Sequence, residues 1–478
     1  MFKSVKLSFS IMALSAVALT GTSFALADDH ASGFAGDDVL PVTSAMSADQ
    51  LSQILAAHPR QLSSLEAICE SKIGISVAKT AYFPKLSANI SGGDKLVDKT
   101  TRSDEFGGTN SPEYDGKGVN ATLSISQLLY DWGVTGNTVQ VEREKTTKAR
   151  LLNRETADAQ TLGLLDLSFK LDAAAKAVVI GQQTLDQMNF VLSNTEKKYK
   201  LGAGTLTEVK ELSLMVLQRE GLLQSATLRY ESLVKSLKTQ YGVSLEEAAA
   251  LRSMFVNLRE ENPVPMGVEA SLSYRQNELD REIAKLEDKK LSRSRFPKVQ
   301  AELAGRAWDI QEQDSCGMVT GSDIFGNVQR LRQDCRAYEA TGNLSLSMPL
   351  YDGGENKNRR RAVASQMRRL ASVERSIMRD HDVTASDLVS QLNDLARASA
   401  DNVNQIAALS SRLADVARLQ EATQSNFPLL ASLSDKLGDL EIQQASVIAE
   451  LENTRAQIYS LNDQLVDILA ISLEQPQC

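Results

Sequence analysis

Three histidines are all that 478 residues offer for proton transfer near neutral pH, and only His381 has an acid on both sides, in the run Asp380-His381-Asp382. An imidazole among carboxylates is material for acid–base catalysis or for a metal site. These three residues are consecutive in a long helical pattern, so their side chains fan out instead of converging. His30 lies in a segment rich in Asp, Gly and Ser, and His58 precedes the helix-disrupting Pro59. No nucleophile with a base and no metal-ligand spacing emerges, so no catalytic residue, metal or cofactor is expected, and the chain reads as no enzyme. Arg359-Arg360-Arg361, with Lys357 and Arg368-Arg369, is the densest basic run. At the start of a helical pattern it reads as a solvated face, and a net charge of -9 gives no support to a nucleic-acid partner.

Cysteine chemistry depends on compartment. Lys3 and Lys6, the apolar stretch Ser8 to Leu19 and the small-x-small site Ala25-Leu26-Ala27 predict a secretory signal over residues 1–27. Export permits disulfides. Cys316 and Cys335 share one loop and form the favoured pair, while Cys69 and Cys478 are left over. The plainer reading leaves Cys478 free on a flexible end. Pairing with Cys69 requires the tail to fold back beside the first helix.

The elements that hold these residues are written twice. Phe83-Pro84-Lys85-Leu86 returns as Phe296-Pro297-Lys298-Val299, and Leu129-Tyr130-Asp131-Trp132-Gly133 returns as Leu350-Tyr351-Asp352-Gly353-Gly354. The spacing between the two phrases is eight residues longer in the second copy. One structural unit is therefore used twice, over residues 49–260 and 261–478, after a flexible segment 28–48. Each unit opens with a helical run, about Ala48 to Thr80 (with a possible break at Pro59) and about Glu269 to Arg295, and each is stopped by the Phe-Pro step.

Beyond each proline the period falls to two. Leu86, Ala88 and Ile90 oppose Ser87, Asn89 and Ser91, and after a long loop Ala121, Leu123 and Ile125 oppose Thr122, Ser124 and Ser126. In the second unit Val299, Ala301 and Leu303 oppose Lys298, Gln300 and Glu302, and Leu344, Leu346 and Met348 oppose Ser345 and Ser347. These are strands with one apolar and one polar face. A small soluble sheet and a membrane barrel both show this pattern. Polar residues suited to a wet lumen, with long loops (Gly92 to Gly118, Gly305 to Gly342) on one side only, point toward the barrel. Four strands cannot close one, and lipid tolerates no open edge, so membrane strands would require several chains.

Then the period becomes helical. Apolar residues recur every three or four from Val134 to about Lys200, a span of roughly 100 Å if unbroken. Gly202 and Gly204 interrupt the pattern, and it resumes from Leu206 to about Tyr241. The second unit runs from about Asn356 to Asn426, breaks near Phe427-Pro428, and resumes from Ser434 to about Ile471. Runs of this length imply coiled-coil packing. Alanines at Ala173 to Ala175 and at Ala396, Ala400, Ala407 and Ala408 permit close helix approach.

The order of these phrases, with Tyr199-Lys200-Leu201-Gly202-Ala203-Gly204-Thr205 between paired helices, resembles the TolC-like outer-membrane efflux and type I secretion channel family. The resemblance spans nearly all of the mature chain. It implies an α+β membrane protein: a homotrimer with a long α-helical coiled-coil tunnel, to which each chain gives four β-strands for one 12-stranded transmembrane β-barrel. It further implies the Gram-negative outer membrane, contact with outer-membrane lipid, and a passive exit duct. The duct would be coupled through a periplasmic adaptor (membrane fusion) protein to an inner-membrane ABC or proton-driven transporter. Its cargo would be small molecules or secreted polypeptides. The family narrows its tunnel at the periplasmic turns, where Glu208, Glu211, Asp435 and Asp439 are the matching acidic candidates. Gly202 and Gly204 align roughly with Leu430 and Ser432, so the second turn departs from the pattern. Phe83, Pro84, Phe296 and Pro297 mark helix-to-strand junctions, and Tyr130, Trp132 and Tyr351 are strand-end aromatics, suited to a lipid boundary or to corner packing. The competing reading is a periplasmic coiled-coil adaptor or scaffold with a small soluble β-domain.

Overall fold

The computed structural model describes residues 46–95, 102–103, 109–110, 116–260, 262–311, 318–322, 328–332, 336–423, 427–473 and 478. The expected signal segment, the tips of the two long loops and the proposed Cys316–Cys335 pair lie outside the described residues.

Helices α1 (Ala48–Ala56) and α2 (Pro59–Lys79) open the chain. Ser47 caps α1 in a reciprocal box with Gln50. Pro59 begins α2 instead of kinking one helix, since a first-turn residue needs no amide hydrogen. Four strands form one antiparallel sheet in chain order: β1 (Lys85–Lys95), β2 (Gly116–Tyr130), β3 (Lys298–Gln311) and β4 (Arg336–Ser347). The strands reach further into the loops than the alternating residues indicate, because glycines continue the ladder at Gly92, Gly93 and Gly118. Short antiparallel hairpins pair 102–103 with 109–110 and 318–322 with 328–332 beyond the sheet.

Between β2 and β3 come α3 (Val134–Lys200), α4 (Leu206–Tyr241), α5 (Leu245–Leu258) and α6 (Leu272–Arg293). After β4 come α7 (Glu355–Thr423), α8 (Phe427–Leu461) and the short α9 (Leu465–Ile468). The limits of α3 and α4 coincide with the periodic runs. Helix α3 ends where Gly202 takes a left-handed conformation (φ 76°), and Thr205 caps α4 reciprocally with Glu208. Two expectations are corrected. Helix α8 begins at Phe427 and not at Ser434, because Pro428 sits in the first turn, where it continues the helix without loss. It also stops at Leu461, where Asp463 turns left-handed (φ 56°), short of Ile471.

Helix α3 is the spine. It packs along α2 and α6 towards the sheet, and along α4 and α8 towards the far end. Tyr241 at the end of α4 meets His58 at the start of α2, with ring centroids 5.7 Å apart, so α4 continues the line of α2. Halfway along, α1, α5 and α9 pile onto α3 as a collar. Its core contains Leu51, Leu55, Leu165, Phe169, Phe255 and Leu465, all buried, with Phe255 edge-on to both Phe169 and Tyr459.

The tail does fold back. Ser472 N–H donates to Ser52 Oγ, and Cys69 is bonded to Cys478 with the α-carbons 5.4 Å apart. This replaces the free Cys478 of the sequence reading. Ser472 thus sits against α1 and Cys478 against α2, a juxtaposition that no local spacing encodes.

Candidate functional site

The sheet sorts its residues by chemistry. Cross-strand neighbours share a face, and one face carries the rows Leu86–Ile125–Leu303–Gly342 and Ala88–Leu123–Gly305–Ala340. The other carries Lys85–Ser126–Glu302–Asn343 and Ser87–Ser124–Ala304–Thr341. Among the described residues nothing covers the apolar face: Leu86, Ile90, Leu303, Leu344 and Leu346 are each more than 60% exposed. At 11 to 15 residues, the strands are long enough to cross a hydrocarbon layer at a tilt. Among the described residues no helix is long and apolar enough to cross a membrane.

The twice-written corner phrase turns out to be a device for leaving a strand and entering a helix. Asp131 accepts from Gly133 N–H at 3.0 Å and Thr135 N–H at 2.6 Å, and Asp352 accepts from Gly354 N–H and Asn356 N–H, both at 2.9 Å. Those backbone bonds, from Asn356 above all, hold the Asp352 carboxyl below its usual range. Two left-handed residues follow each aspartate, Trp132 (φ 58°) with Gly133 (φ 80°), and Gly353 (φ 65°) with Gly354 (φ 83°). Asp131→Ala leaves first-turn amides unsatisfied at a buried corner and should cost about 1–2 kcal/mol. Asp352→Ala, at an exposed corner, should cost less, and thermal unfolding of the two variants compares them.

A tryptophan is strained at such a position, and the structure shows what holds it. Trp132 meets Tyr130 edge-on (ring centroids 5.1 Å apart) and Phe296 at a tilt (5.4 Å), and it donates from Nε1 to Pro297 O at 2.8 Å. The first corner thus locks onto the second Phe-Pro junction. Among the described residues the second corner has no such aromatic lock. Tyr351 is 88% exposed and Phe83 is 63% exposed.

At the far end, the start of α8 packs against α3 and α4. Phe427 and Ala431 join Val191 and Leu212, and Lys198 Nζ lies 4.5 Å from the centre of the Phe427 ring. Gly438 lets α8 press onto α3, where a side chain would collide with Thr184. The four acidic candidates divide by partner. Glu208 accepts from Thr205 N–H in the α4 cap, and Glu211 is exposed. Asp435 and Asp439 both bind Arg219, whose side chain is only 2% exposed. Arg219 Nε donates to Asp435 Oδ1 at 2.8 Å, Nη2 donates to the Asp435 carbonyl at 2.9 Å, and Nη1 lies 2.9 Å from Asp439 Oδ1. Sequence reasoning missed Arg219, because an arginine on a helical run gives no sign of facing inward.

A second charged cluster sits where the collar joins α3. Arg154 donates to Asp463 at 2.5 Å and to Asp467 at 2.7 Å, and Arg275 donates to Asp463 at 3.0 Å. Beside them Asp158 takes a hydrogen bond from the Ser460 hydroxyl and leaves Oδ1 buried without a partner. Burial pushes its carboxyl up to about 6, against the opposing pull of Ser460. An acid whose pKa is raised in the folded chain contributes most stability below its unfolded value. That contribution falls as pH rises towards 6, by about 3 kcal/mol in all. Asp158→Asn should therefore stabilise the chain at pH 7–8 and make no difference near pH 4, as read by melting curves at both. Equal destabilisation at both pH values would show that the ionised carboxylate is needed.

His381 is buried with neither ring nitrogen hydrogen bonded; its Nδ1 lies 3.8 Å from the largely exposed Asp382 carboxylate, and Asp380 accepts instead from Ser376 on the same helix, so the three do not form one site. Among the described residues no group of His, Cys, Asp and Glu is placed to hold a metal ion.

Exposed membrane-length strands set on helices of about 100 Å are the geometry against which known proteins can be compared. Residues 51–242 match the outer membrane efflux protein family. The match spans 192 of the 478 residues (51 to 242), and no individual member is singled out. No curated protein matches in sequence. Solved structures share the fold over most of their length. A membrane protein from Pseudomonas aeruginosa is 13% identical with a TM-score of 0.65, covering 87% of this chain and 93% of its own. The outer membrane protein VceC of Vibrio cholerae is 13% identical with a TM-score of 0.64, covering 89% and 97%. The CmeC outer membrane channel of Campylobacter jejuni is 9% identical with a TM-score of 0.66, covering 89% of each. Long helices with a small antiparallel sheet are thus the shared efflux-channel fold. Channels of this family are passive conduits, in keeping with the reading that the chain is not an enzyme.

Proposed function

We propose that three copies of this chain form an outer-membrane exit duct, with a 12-stranded barrel over a periplasmic helical tunnel. The observation that carries this reading is the set of seams left open in one copy. Every layer runs in the order first unit, second unit, and then stops: β1-β2-β3-β4 in the sheet, α2-α3-α6-α7 beneath it, and α4-α3-α8-α7 at the far end. Helix α3 has long neighbours on both sides, whereas those of its repeat α7 are α6 and α8. The alanines repeat the lesson, with Ala174 and Ala175 buried on α3 and Ala396, Ala400, Ala407 and Ala408 exposed on α7. A head-to-tail ring supplies what is missing, with β1, α2 and α4 of the next copy against β4 and α7. Phe83 of the next copy would then meet the Tyr351 corner, as Phe296 meets Trp132. Closure also removes both sheet edges and turns the apolar face to lipid.

The duct is passive, and energy and cargo selection come from an inner-membrane ABC or proton-driven transporter reached through a periplasmic adaptor. Small molecules or secreted polypeptides are the cargo class. The turn at Gly202 and the start of α8 at Phe427 form the narrow end, with Glu208, Glu211, Asp435 and Asp439 as its carboxylates. Arg219 offsets part of the charge on the last two, so Glu211 is the carboxylate to test first. Glu211→Gln should lower cation preference in planar bilayers, because a ring of three carboxylates becomes neutral. Unchanged selectivity would remove Glu211 from the aperture.

The test of the whole reading is purification in detergent followed by bilayer conductance. A heat-modifiable trimer with discrete single-channel steps is expected. Extraction without detergent, or a monomer with no conductance, would favour the soluble scaffold instead.

A further inference from the structure

Just below the sheet, between α6 and the first turns of α7, lies an open cleft of about 560 Å³ lined by Arg295, Lys357, Arg360 and Arg361. It also contains two carboxylates, and both are committed. Asp288 takes a bidentate hold on Arg360 at 2.9 and 3.0 Å, which keeps its carboxyl low, and Asp352 is bound to the amides of the corner. Lys357 and Arg361 therefore remain as cations with no carboxylate at ion-pair distance among the described residues, and Arg295, though its charge also acts on Asp352, forms no ion pair there either. Met367 and Ala364 give the cleft an apolar wall.

The depth of the cleft is set by the chain. Arg295 stands three residues before β3 begins, and Lys357 and Arg361 lie in the first two turns of α7, within about 10 Å of the start of that helix, which follows the corner below β4. Leu350 and Tyr351, both 88% exposed, mark the same level as a boundary between apolar and polar surroundings.

The cleft also stays open in a ring. The face of α3 that meets α6 carries Val141 and Lys148. The matching face of α7, which would meet the next copy, carries Ala362 and Arg369, and neither lines the cleft. The helix stripe holding Lys357 and Arg361 matches Gly136 and Gln140 on α3. That stripe continues through Arg143 and Arg150 to Arg154, which binds α9 in the collar. A collar on three copies would fill the bore if it faced inward, so this stripe faces outward.

We propose that this cleft binds the phosphodiester headgroup of an anionic phospholipid in the periplasmic leaflet of the outer membrane. The proposal rests on the outer-membrane duct reading and adds a specific lipid site to it. Arginine forks match phosphate oxygens bidentately, lysine supplies a compact third charge, and the apolar wall takes the start of the acyl region. Basic clefts at the membrane surface select anionic headgroups over zwitterionic ones.

The test uses the full-length trimer in nonionic detergent and native mass spectrometry. It is titrated separately with dioleoylphosphatidylglycerol, dioleoylphosphatidylcholine and inorganic phosphate. Phosphatidylglycerol should bind at least tenfold more tightly than phosphatidylcholine, with up to three copies per trimer. Lys357→Gln with Arg361→Gln should weaken that binding by about tenfold or more, and Arg295→Gln, which lies outside any helix, should weaken it in a chain whose helices are untouched. Arg359→Gln, whose guanidinium pairs with Glu355, should leave it unchanged. Equal retention of the two lipids, or unaltered phosphatidylglycerol binding in both cleft variants, overturns the site. Inorganic phosphate competing at the same concentration as phosphatidylglycerol overturns the lipid assignment. Failure of the duct reading shows separately, as absent bilayer conductance in the unaltered chain.

Discussion

Leu123→Arg should abolish stable membrane trimers, while Ser124→Arg, one residue along the same strand, should leave them intact and change the current they carry. The two positions share a backbone environment in the middle of β2, between β1 and β3. They differ only in face. Leu123 lies between Ala88 and Gly305 on the exposed apolar side, and Ser124 lies beside Ser87, hydroxyl to hydroxyl at 2.7 Å, on the polar side. An arginine facing lipid near the membrane centre costs about 2–4 kcal/mol per site, and a ring of three copies carries that cost three times. An arginine facing the lumen remains hydrated, so its effect falls on conduction and on cation preference. Unboiled gels report the trimer, and planar bilayers report the current. If Ser124→Arg destroys the trimer and Leu123→Arg spares it, the faces are reversed. If both chains purify without detergent, the apolar face is covered by protein, and the duct reading fails with it.

That the faces can be assigned at all reflects how much a two-residue period encodes. Leu86, Leu123 and Leu303 fall on one side wherever the strands pair in register. The long helices were legible for a similar reason, because 67 residues from Val134 to Lys200 contain no proline and end at a left-handed glycine. Local chemistry of this kind survives folding unchanged. Helix α5 escaped notice although Ser244 and Glu247 form a reciprocal cap that the sequence displays openly. Its run of three alanines has too little periodicity to announce a buried helix. Proline misled at α8, where Pro428 looks like a break and is in fact a first-turn residue. What could not be read are the contacts that depend on how distant segments meet. Cys69 and Cys478 are 409 residues apart, and only the packing of the C-terminal segment onto the collar brings them together. Arg219 and Asp435 are 216 residues apart on helices that touch chiefly through α3, and neither residue type reveals the other.

Arg219 is also where a single substitution should have its largest effect on the helical end. The guanidinium is almost wholly buried, yet its Nε, Nη1 and Nη2 all have oxygen partners on α8, which makes it the main polar tie between α4 and α8. Arg219→Met keeps most of the packing volume and deletes the charge, so Asp435 and Asp439 lose their counter-ion together. Removing one partner of a buried ion pair costs about 3–5 kcal/mol. Asp435 and Asp439 keep 32% and 59% of their side-chain exposure and can recover water, which places the expected loss near the lower figure. Because the tie joins the two helical hairpins at the narrow end, its loss should also raise the resting conductance of the trimer in bilayers. Adding Asp435→Asn and Asp439→Asn to Arg219→Met should recover part of the stability, since the uncompensated charges disappear, without returning the conductance to its resting level. A cycle of Arg219→Met, the Asp435→Asn and Asp439→Asn pair, and all three substitutions together separates the electrostatic tie from packing. If Arg219→Met melts like the unaltered chain and conducts like it, the arginine is an ordinary packed side chain and the narrow end is held by Phe427, Leu212 and Gly438 alone.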